Sequence, residues 1–109
     1  MHELAITQSI VDQVADRMAG RRVTDVDLEI GMLSGVVADS VRFCFDLVTV
    51  GTPLEGCSLR IGEPEGRARC EACTTTFGVR DLLLLCPCGS ADVRIVSGEQ
   101  LLIKSVKVA

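Results

Sequence analysis

Four of the six cysteines in this 109-residue chain fall into two close pairs near its C-terminal end. Two residues separate Cys70 from Cys73, twelve residues follow, and Pro87 alone separates Cys86 from Cys88. Thiolates at this density can complete a tetrahedron around one metal ion, and the intervening loop turns the chain back to close it. Zinc with four sulfur ligands keeps no position for a substrate, so the pattern predicts a structural zinc site.

Other uses of these cysteines stay open at the level of sequence, namely an iron site, a redox dithiol and disulfides. A redox pair stands at a helix start after a strand and needs no second pair. Disulfides need an oxidising compartment, whereas the chain start lacks the basic and apolar segments of a signal peptide. We therefore expect a reducing, cytoplasmic location. Cys44 and Cys57 lie on apolar stripes and are predicted to be small buried hydrophobes.

The remaining residues predict an α/β (α+β) fold, with a small sheet packed against two helices and an inserted zinc-ribbon-like module. Apolar residues recur at helical spacing over residues 3–19, before Gly20, and over residues 39–50, where Asp39 is the candidate N-cap. Alternating polarity predicts strands at 25–30 and 57–62, and an apolar, β-rich segment with interspersed lysines predicts a last strand at 101–108. The apolar stripe of the first helix comprises Leu4, Ile6, Ile10, Val11, Val14, Ala15 and Met18.

Polar breakers at residues 63–66 and at Ser97-Gly98 predict the module boundaries. Residues 63–96 would form the zinc module, and the strand at 97–109 would complete the sheet of residues 1–62. Aromatic residues make up only 3% of the chain, so the core must consist mostly of Val, Leu and Ile.

Composition argues against several classes of function. A net charge of −4 gives no basic footprint for nucleic acid, and no apolar run is long enough to span a membrane. The chain has no phosphate-binding loop and no convincing pair of nucleophile and base, so we do not expect an enzyme. Asp25, Asp27 and Glu29 form an acidic strand face, which either docks a basic partner or is simply solvated.

His2 is the only histidine in the chain and lies beside the N-terminus. The Met1 amine, the His2 amide nitrogen and the His2 Nδ1 can close two chelate rings on one ion, with Glu3 as a fourth ligand. A nitrogen-rich set of this kind suits Ni(II) or Cu(II). The alternative is a solvated terminal histidine that binds nothing.

Taken together, these segments resemble the HypA/HybF family of hydrogenase-maturation proteins, and the resemblance spans essentially the whole chain. Its motifs are Met1-His2-Glu3, the segments at 30–36 and 42–45, the cysteine pairs with Cys86-Pro87-Cys88-Gly89-Ser90, and the segment at 97–103. Two details depart from the family pattern. The second cysteine pair is one residue shorter than the usual Cys-Pro-x-Cys, and Val37-Ala38 stands where acidic residues are common.

The resemblance implies a nickel metallochaperone that carries Ni(II) as cargo and Zn(II) as a structural ion. It implies nickel ligation by His2, with Glu3 adjacent, and zinc ligation by Cys70, Cys73, Cys86 and Cys88. It also implies a HypB-type GTPase and the large subunit of [NiFe] hydrogenase as partners, with urease accessory proteins as further ones. The protein would be a monomer or a homodimer that binds neither nucleic acid nor membrane.

Two rival functions remain at this stage. One is a zinc-ribbon module that binds protein or nucleic acid without transferring nickel, which Arg67, Arg69, Arg80 and Arg94 around the cysteines would favour. The other is a thiol oxidoreductase, which would need a thiol of low pKa in the zinc-loaded protein.

Overall fold

The computed structural model describes residues 2–80 and 84–109, which form two helices and six strands. In chain order these are α1 (Glu3–Arg17), β1 (Val23–Ile30), α2 (Ala38–Val48), β2 (Ser58–Gly62), β3 (Gly66–Cys70), β4 (Thr76–Val79), β5 (Val93–Ser97) and β6 (Leu101–Val108). The strands form two separate three-stranded sheets, which confirms the α+β class with an inserted cysteine module.

The first sheet has the order β2-β1-β6, with β1 in the centre. β2 runs parallel to β1, so the chain must cross over between them, and α2 makes that crossover. β6 pairs antiparallel with β1 from Val23↔Val108 to Ile30↔Leu101. The hydrophobic core lies where α1 and α2 cover one face of this sheet. It comprises Ile10, Val11, Val14, Val23, Val26, Leu28, Ile30, Ala38, Val41, Phe45 and Leu54.

The other face of the first sheet carries the acidic residues of β1, and cations of the neighbouring strands neutralise them. Arg60 of β2 donates two hydrogen bonds to Asp27, at 2.6 and 3.2 Å, and Ser105 of β6 donates a third at 2.7 Å. Lys104 lies 3.8 Å from Glu29. These contacts favour a charge-paired sheet face over a docking surface.

The second sheet has the order β4-β3-β5, with both pairs antiparallel. The chain enters it after β2 and leaves it before β6, so both connections lie at the Ile30 end of β1. Backbone hydrogen bonds hold this crossing point: Gly31 donates to Gln100 at 2.7 Å, and Leu33 donates to Gly98 at 2.7 Å. A Cβ on Gly31 would lie 2.0 Å from the Gly98 carbonyl oxygen, so only glycine fits there.

The whole chain is elongated, with principal extents of 53 × 23 × 17 Å and a radius of gyration of 17.1 Å. A compact chain of this length would have a radius of gyration of about 13 Å. Among the described residues, neither helix has the length and apolar character required to cross a bilayer.

Most predicted elements agree with the structure, but two details were wrong. Asp39 is not the N-cap of α2; Val37 occupies that position and makes no side-chain cap. Leu4 was placed on the apolar stripe of α1, yet it is 57% exposed, because the first turn of the helix is not covered by the core. Thr7 is buried instead, and its hydroxyl donates to the Glu3 carbonyl at 2.7 Å.

Candidate metal centres

The structure brings Cys70, Cys73, Cys86 and Cys88 together, with their four sulfur atoms within 4.8 Å of one another. The Sγ atoms of Cys70 and Cys88 are 3.7 Å apart, and those of Cys73 and Cys86 are 3.6 Å apart. A Zn–S bond of about 2.3 Å places tetrahedral sulfurs about 3.8 Å apart, so the cluster fits a single four-coordinate zinc ion. None of the four is joined to another in a disulfide in this structure.

Each cysteine pair lies in a tight turn, in which a backbone amide donates to one sulfur atom of the pair. The Cys73 amide donates to Cys70 Sγ, and the Cys88 amide donates to Cys86 Sγ, both at 3.4 Å. Thr74 follows the first pair at φ 62° and Gly89 follows the second at φ 95°. The shorter second pair therefore still forms a turn in which an amide faces a sulfur, as hydrogen bonding to metal-bound thiolate requires.

The environment of Cys73 favours its thiolate. Hydrogen bonds from the hydroxyl and the amide of Thr75 lower the pKa of the Cys73 thiol to about 6. Cys73 is also exposed, whereas Cys70 is buried. An ionised sulfur at the surface of the cluster is a suitable first ligand for an incoming cation, because only the thiolate binds metal.

The other predicted centre lies at the start of α1. His2 is exposed and directly precedes the first helical residue. The Glu3 carboxylate accepts a hydrogen bond from the Val37 amide at 3.1 Å, and this bond lowers the pKa of Glu3. Through this hydrogen bond, Glu3 links the start of α1 to the start of α2. Met1, whose amine was predicted as a nickel ligand, lies outside the described residues.

An open groove of about 580 Å³ runs beside His2, between the starts of the two helices. Besides Glu3 it exposes two groups that sequence reasoning assigned to other roles, Asp39 and Cys44. Asp39 forms an ion pair with Arg42. Cys44 is only half-buried because it lines this groove, although helical spacing had placed it in the core.

Cys57 was also predicted to be a buried hydrophobe, and it is half-buried against the core of the first sheet. Burial raises the pKa of its thiol. Cys57 therefore has the character of a structural residue and not of a reactive one.

These features define a class of protein: a helix-covered sheet with an exposed histidine at its start, joined to a small sheet that ends in a cluster of four thiols able to hold a metal ion. Comparison with known proteins identifies the family. Residues 1–108 match the family described as "Hydrogenase/urease nickel incorporation, metallochaperone, hypA", and the chain belongs to this HypA family. Members are maturation factors, so the chain is a metallochaperone-family protein and not an enzyme.

Relatives cover the chain from end to end. It is 47% identical to the hydrogenase maturation factor HypA of Geobacter sulfurreducens over 99% of both chains. It is 43% identical to that of a Nostoc species, over 99% of this chain and 96% of the relative. The solution structure of the nickel metallochaperone HypA from Helicobacter pylori superposes with a TM-score of 0.65 at 20% identity, covering 99% and 97% of the two chains. That likeness confirms the fold.

Proposed function

We propose that this protein binds Ni(II) at its N-terminus through His2 and delivers the ion during maturation of [NiFe] hydrogenase. The observation that carries the proposal is the position of the sole histidine: it is exposed at the free start of α1, in a chain of the nickel-incorporation family. A cargo ion must leave as readily as it enters. A terminal site with few ligands allows this, whereas a buried cage would not.

The proposed ligands are the His2 imidazole and backbone amide, with the Met1 amine and Glu3 as neighbours in the chelate. Because the Glu3 carboxylate already accepts the Val37 amide proton, the backbone of Glu3 is the more available donor. Both the amine and the imidazole lose metal when they are protonated. Nickel affinity should therefore fall as the pH decreases.

We further propose that Cys70, Cys73, Cys86 and Cys88 hold a structural Zn(II). The sulfur spacing supports zinc, since it matches the edges of a zinc–thiolate tetrahedron. Such an ion would stabilise the turns of the module and would take no part in nickel chemistry.

The division into units follows from the same proposal. Residues 1–62, completed by the strand at 97–109, would be the nickel-binding unit, and residues 63–96 the zinc-binding module. The two separate sheets support this division, with one adjustment: Ser97 is the last residue of β5, so the boundary falls at Gly98.

The proposed partners are a HypB-type GTPase and the hydrogenase large subunit, with urease accessory proteins as further recipients, in the cytoplasm. The family description, which names both hydrogenase and urease nickel incorporation, supports hydrogenase and urease maturation as the destinations of the nickel.

Calorimetric titration of Ni(II) into untagged, zinc-loaded protein tests the nickel site. His2→Ala should abolish stoichiometric binding, and one extra residue before Met1 should weaken it by displacing the amine. Cys44→Ser is the matched control, because it removes the other soft donor of the groove and should leave binding unchanged. Undiminished binding by His2→Ala would refute the proposal.

A further inference from the structure

The outer face of the second sheet carries a cluster of three arginines. Along β3, Gly66, Ala68 and Cys70 are buried, whereas Arg67 and Arg69 are exposed. Successive side chains of a strand point to opposite faces, so both arginines project from the side away from the buried residues. Arg94 of β5 is exposed and pairs directly with Arg69 across the sheet. We call Arg67, Arg69 and Arg94 the arginine face.

This arrangement is unfavourable in the isolated protein. Like charges directly opposite each other in a sheet are destabilising. Arg94 lies 3.7 Å from Glu71, but both side chains are well exposed, at 72% and 45%. Within residues 2–80 and 84–109, no carboxylate lies within 4 Å of Arg67 or Arg69. Among the described residues of this protein of net charge −4, the three arginines thus have one ion-pair partner, Glu71.

The first sheet shows the opposite arrangement. There the charged face is neutralised internally, because Arg60 binds Asp27 and Lys104 lies beside Glu29. Among the described residues, the first sheet therefore pairs Arg60 and Lys104 with carboxylates, whereas Arg67 and Arg69 of the second sheet have none within 4 Å. The difference indicates that the anions for the arginine face come from outside the described residues.

A four-thiolate zinc centre carries two negative charges, which arginines could balance. The alternation along β3 argues against this explanation, because Cys70 is fully buried and lies on the opposite face from Arg67 and Arg69. Arg67 and Arg69 are exposed to solvent on the face of β3 opposite Cys70.

We propose that the arginine face docks an extended acidic segment of a partner protein. Side chains on one face of a strand recur every ~6.6 Å, which is also the spacing of carboxylates at alternate positions of an extended peptide. Arginine binds carboxylate through two parallel hydrogen bonds, a geometry that lysine cannot match. Val96, 51% exposed on the same strand as Arg94, offers an apolar contact beside the charges.

Nucleic acid fits this face less well. The residues of β4 that pair with the arginines are Thr76 and Gly78, and Phe77 pairs instead with the buried Ala68. The face therefore offers no aromatic ring on which a base could stack. The proposal does not depend on nickel binding, and its test leaves the His2 site intact.

The experiment titrates a short fluorescent peptide of alternating glutamate and alanine into the full-length, zinc-loaded protein at low salt. Fluorescence anisotropy gives the affinity, and ¹H–¹⁵N spectra locate the contact. We expect shifts confined to β3 and β5, and about tenfold weaker binding by Arg67→Gln/Arg69→Gln. The matched control is Lys104→Gln/Lys107→Gln, which changes the net charge equally in the other sheet and should leave binding unchanged.

A lysine variant and an RNA oligonucleotide provide two further tests. Arg67→Lys/Arg69→Lys retains the charge but loses the paired hydrogen bonds, so its binding should fall between those of the native protein and the glutamine variant. A single-stranded RNA oligonucleotide of equal charge should bind more weakly than the peptide. Equal loss in both glutamine variants, no peptide binding, or stronger RNA binding that requires Arg67 and Arg69 would each overturn the proposal. Zinc content and the dispersion of the ¹H–¹⁵N spectra confirm that every variant is folded.

Discussion

At the scale of single residues, the Glu3 carboxylate joins the starts of the two helices. Its hydrogen bond to the Val37 amide takes the place of the side-chain cap that α2 lacks. A carboxylate near a helix N-terminus also interacts favourably with the helix dipole. Glu3 therefore has a structural role that its position beside His2 does not reveal.

Substitution of Glu3 should separate this role from metal ligation. Glu3→Gln keeps an oxygen that can accept the Val37 amide proton, whereas Glu3→Ala removes it. We expect faster hydrogen exchange of the Val37 amide and a lower melting temperature in the alanine variant, with the glutamine variant close to native. Equal exchange rates in both variants would show that the carboxylate does not hold α2.

Asp27 is the second residue whose charge state matters. Hydrogen bonds from Arg60, and then from Ser105, lower the pKa of Asp27 from 3.8 to about 2. A depressed pKa stabilises the folded state above the unfolded pKa, and this stabilisation is lost as the pH falls through the folded value. The contribution should therefore disappear between about pH 4 and pH 2.

The check is the melting temperature of Asp27→Asn as a function of pH. The variant should melt below the native protein at pH 7, and the difference should shrink as the pH is lowered through this interval. Arg60→Gln, which removes the main cause of the shift, should behave similarly. A difference that is constant with pH would contradict the ion-pair explanation.

At the scale of elements, the crossing between the sheets depends on close packing of glycines. A Cβ on Gly31 would meet the Gly98 carbonyl oxygen at 2.0 Å, and one on Gly66 would meet the Val79 carbonyl oxygen at 2.5 Å. Because both obstacles are backbone atoms, they cannot move aside as a flexible side chain would. Three segments of the chain, at Gly31, Gly66 and Gly98, lie so close together there that none of these positions has room for a Cβ.

Gly31→Ala should therefore destabilise the protein by about 2 kcal/mol or more, since overpacking forces the backbone to shift. Gly78→Ala is the matched control, because a Cβ there has no atom within 4 Å among the described residues and its φ is not positive. It should change stability by no more than about 0.5 kcal/mol. Chemical denaturation measures both; equal effects would show that the crossing is not tightly packed.

The sequence predicts some elements of this fold better than others. Periodicity located both helices and β1 because each buries one face, and cysteine spacing predicted the thiol cluster. The N-cap of α2 was missed because the acceptor comes from Glu3, 34 residues away, and no local pattern reveals it. The groove beside His2 was missed for the same reason: helical spacing shows which face is apolar, but not where a covering helix stops.

At the scale of the whole molecule, the two sheets differ in what stabilises them. The core cluster belongs entirely to the helix-covered sheet. Around the second sheet, the buried apolar residues among those described are small, namely Ala68, Cys70, Val79 and Cys86. We expect a unit with so little buried apolar surface to depend on the proposed zinc ion for folding.

Removal of zinc by a chelator should therefore unfold β3–β5 and leave β1, β2 and β6 folded. In ¹H–¹⁵N spectra we expect the resonances of residues 66–97 to collapse while those of the first sheet stay dispersed. Cys70→Ser should have the same effect without a chelator. Cooperative loss of both sheets, or retention of the second sheet without metal, would contradict this division of stability.

The place where the chain crosses between its sheets has a consequence for engineering. β2 ends and β6 begins on either side of the same end of β1, so both connections to the inserted segment lie close together at one end of the first sheet. Neighbouring strands lie about 4.8 Å apart, so these two ends are separated by roughly twice that distance. The cysteine segment of a relative could therefore replace the one between β2 and β6 without altering the strand order of the first sheet.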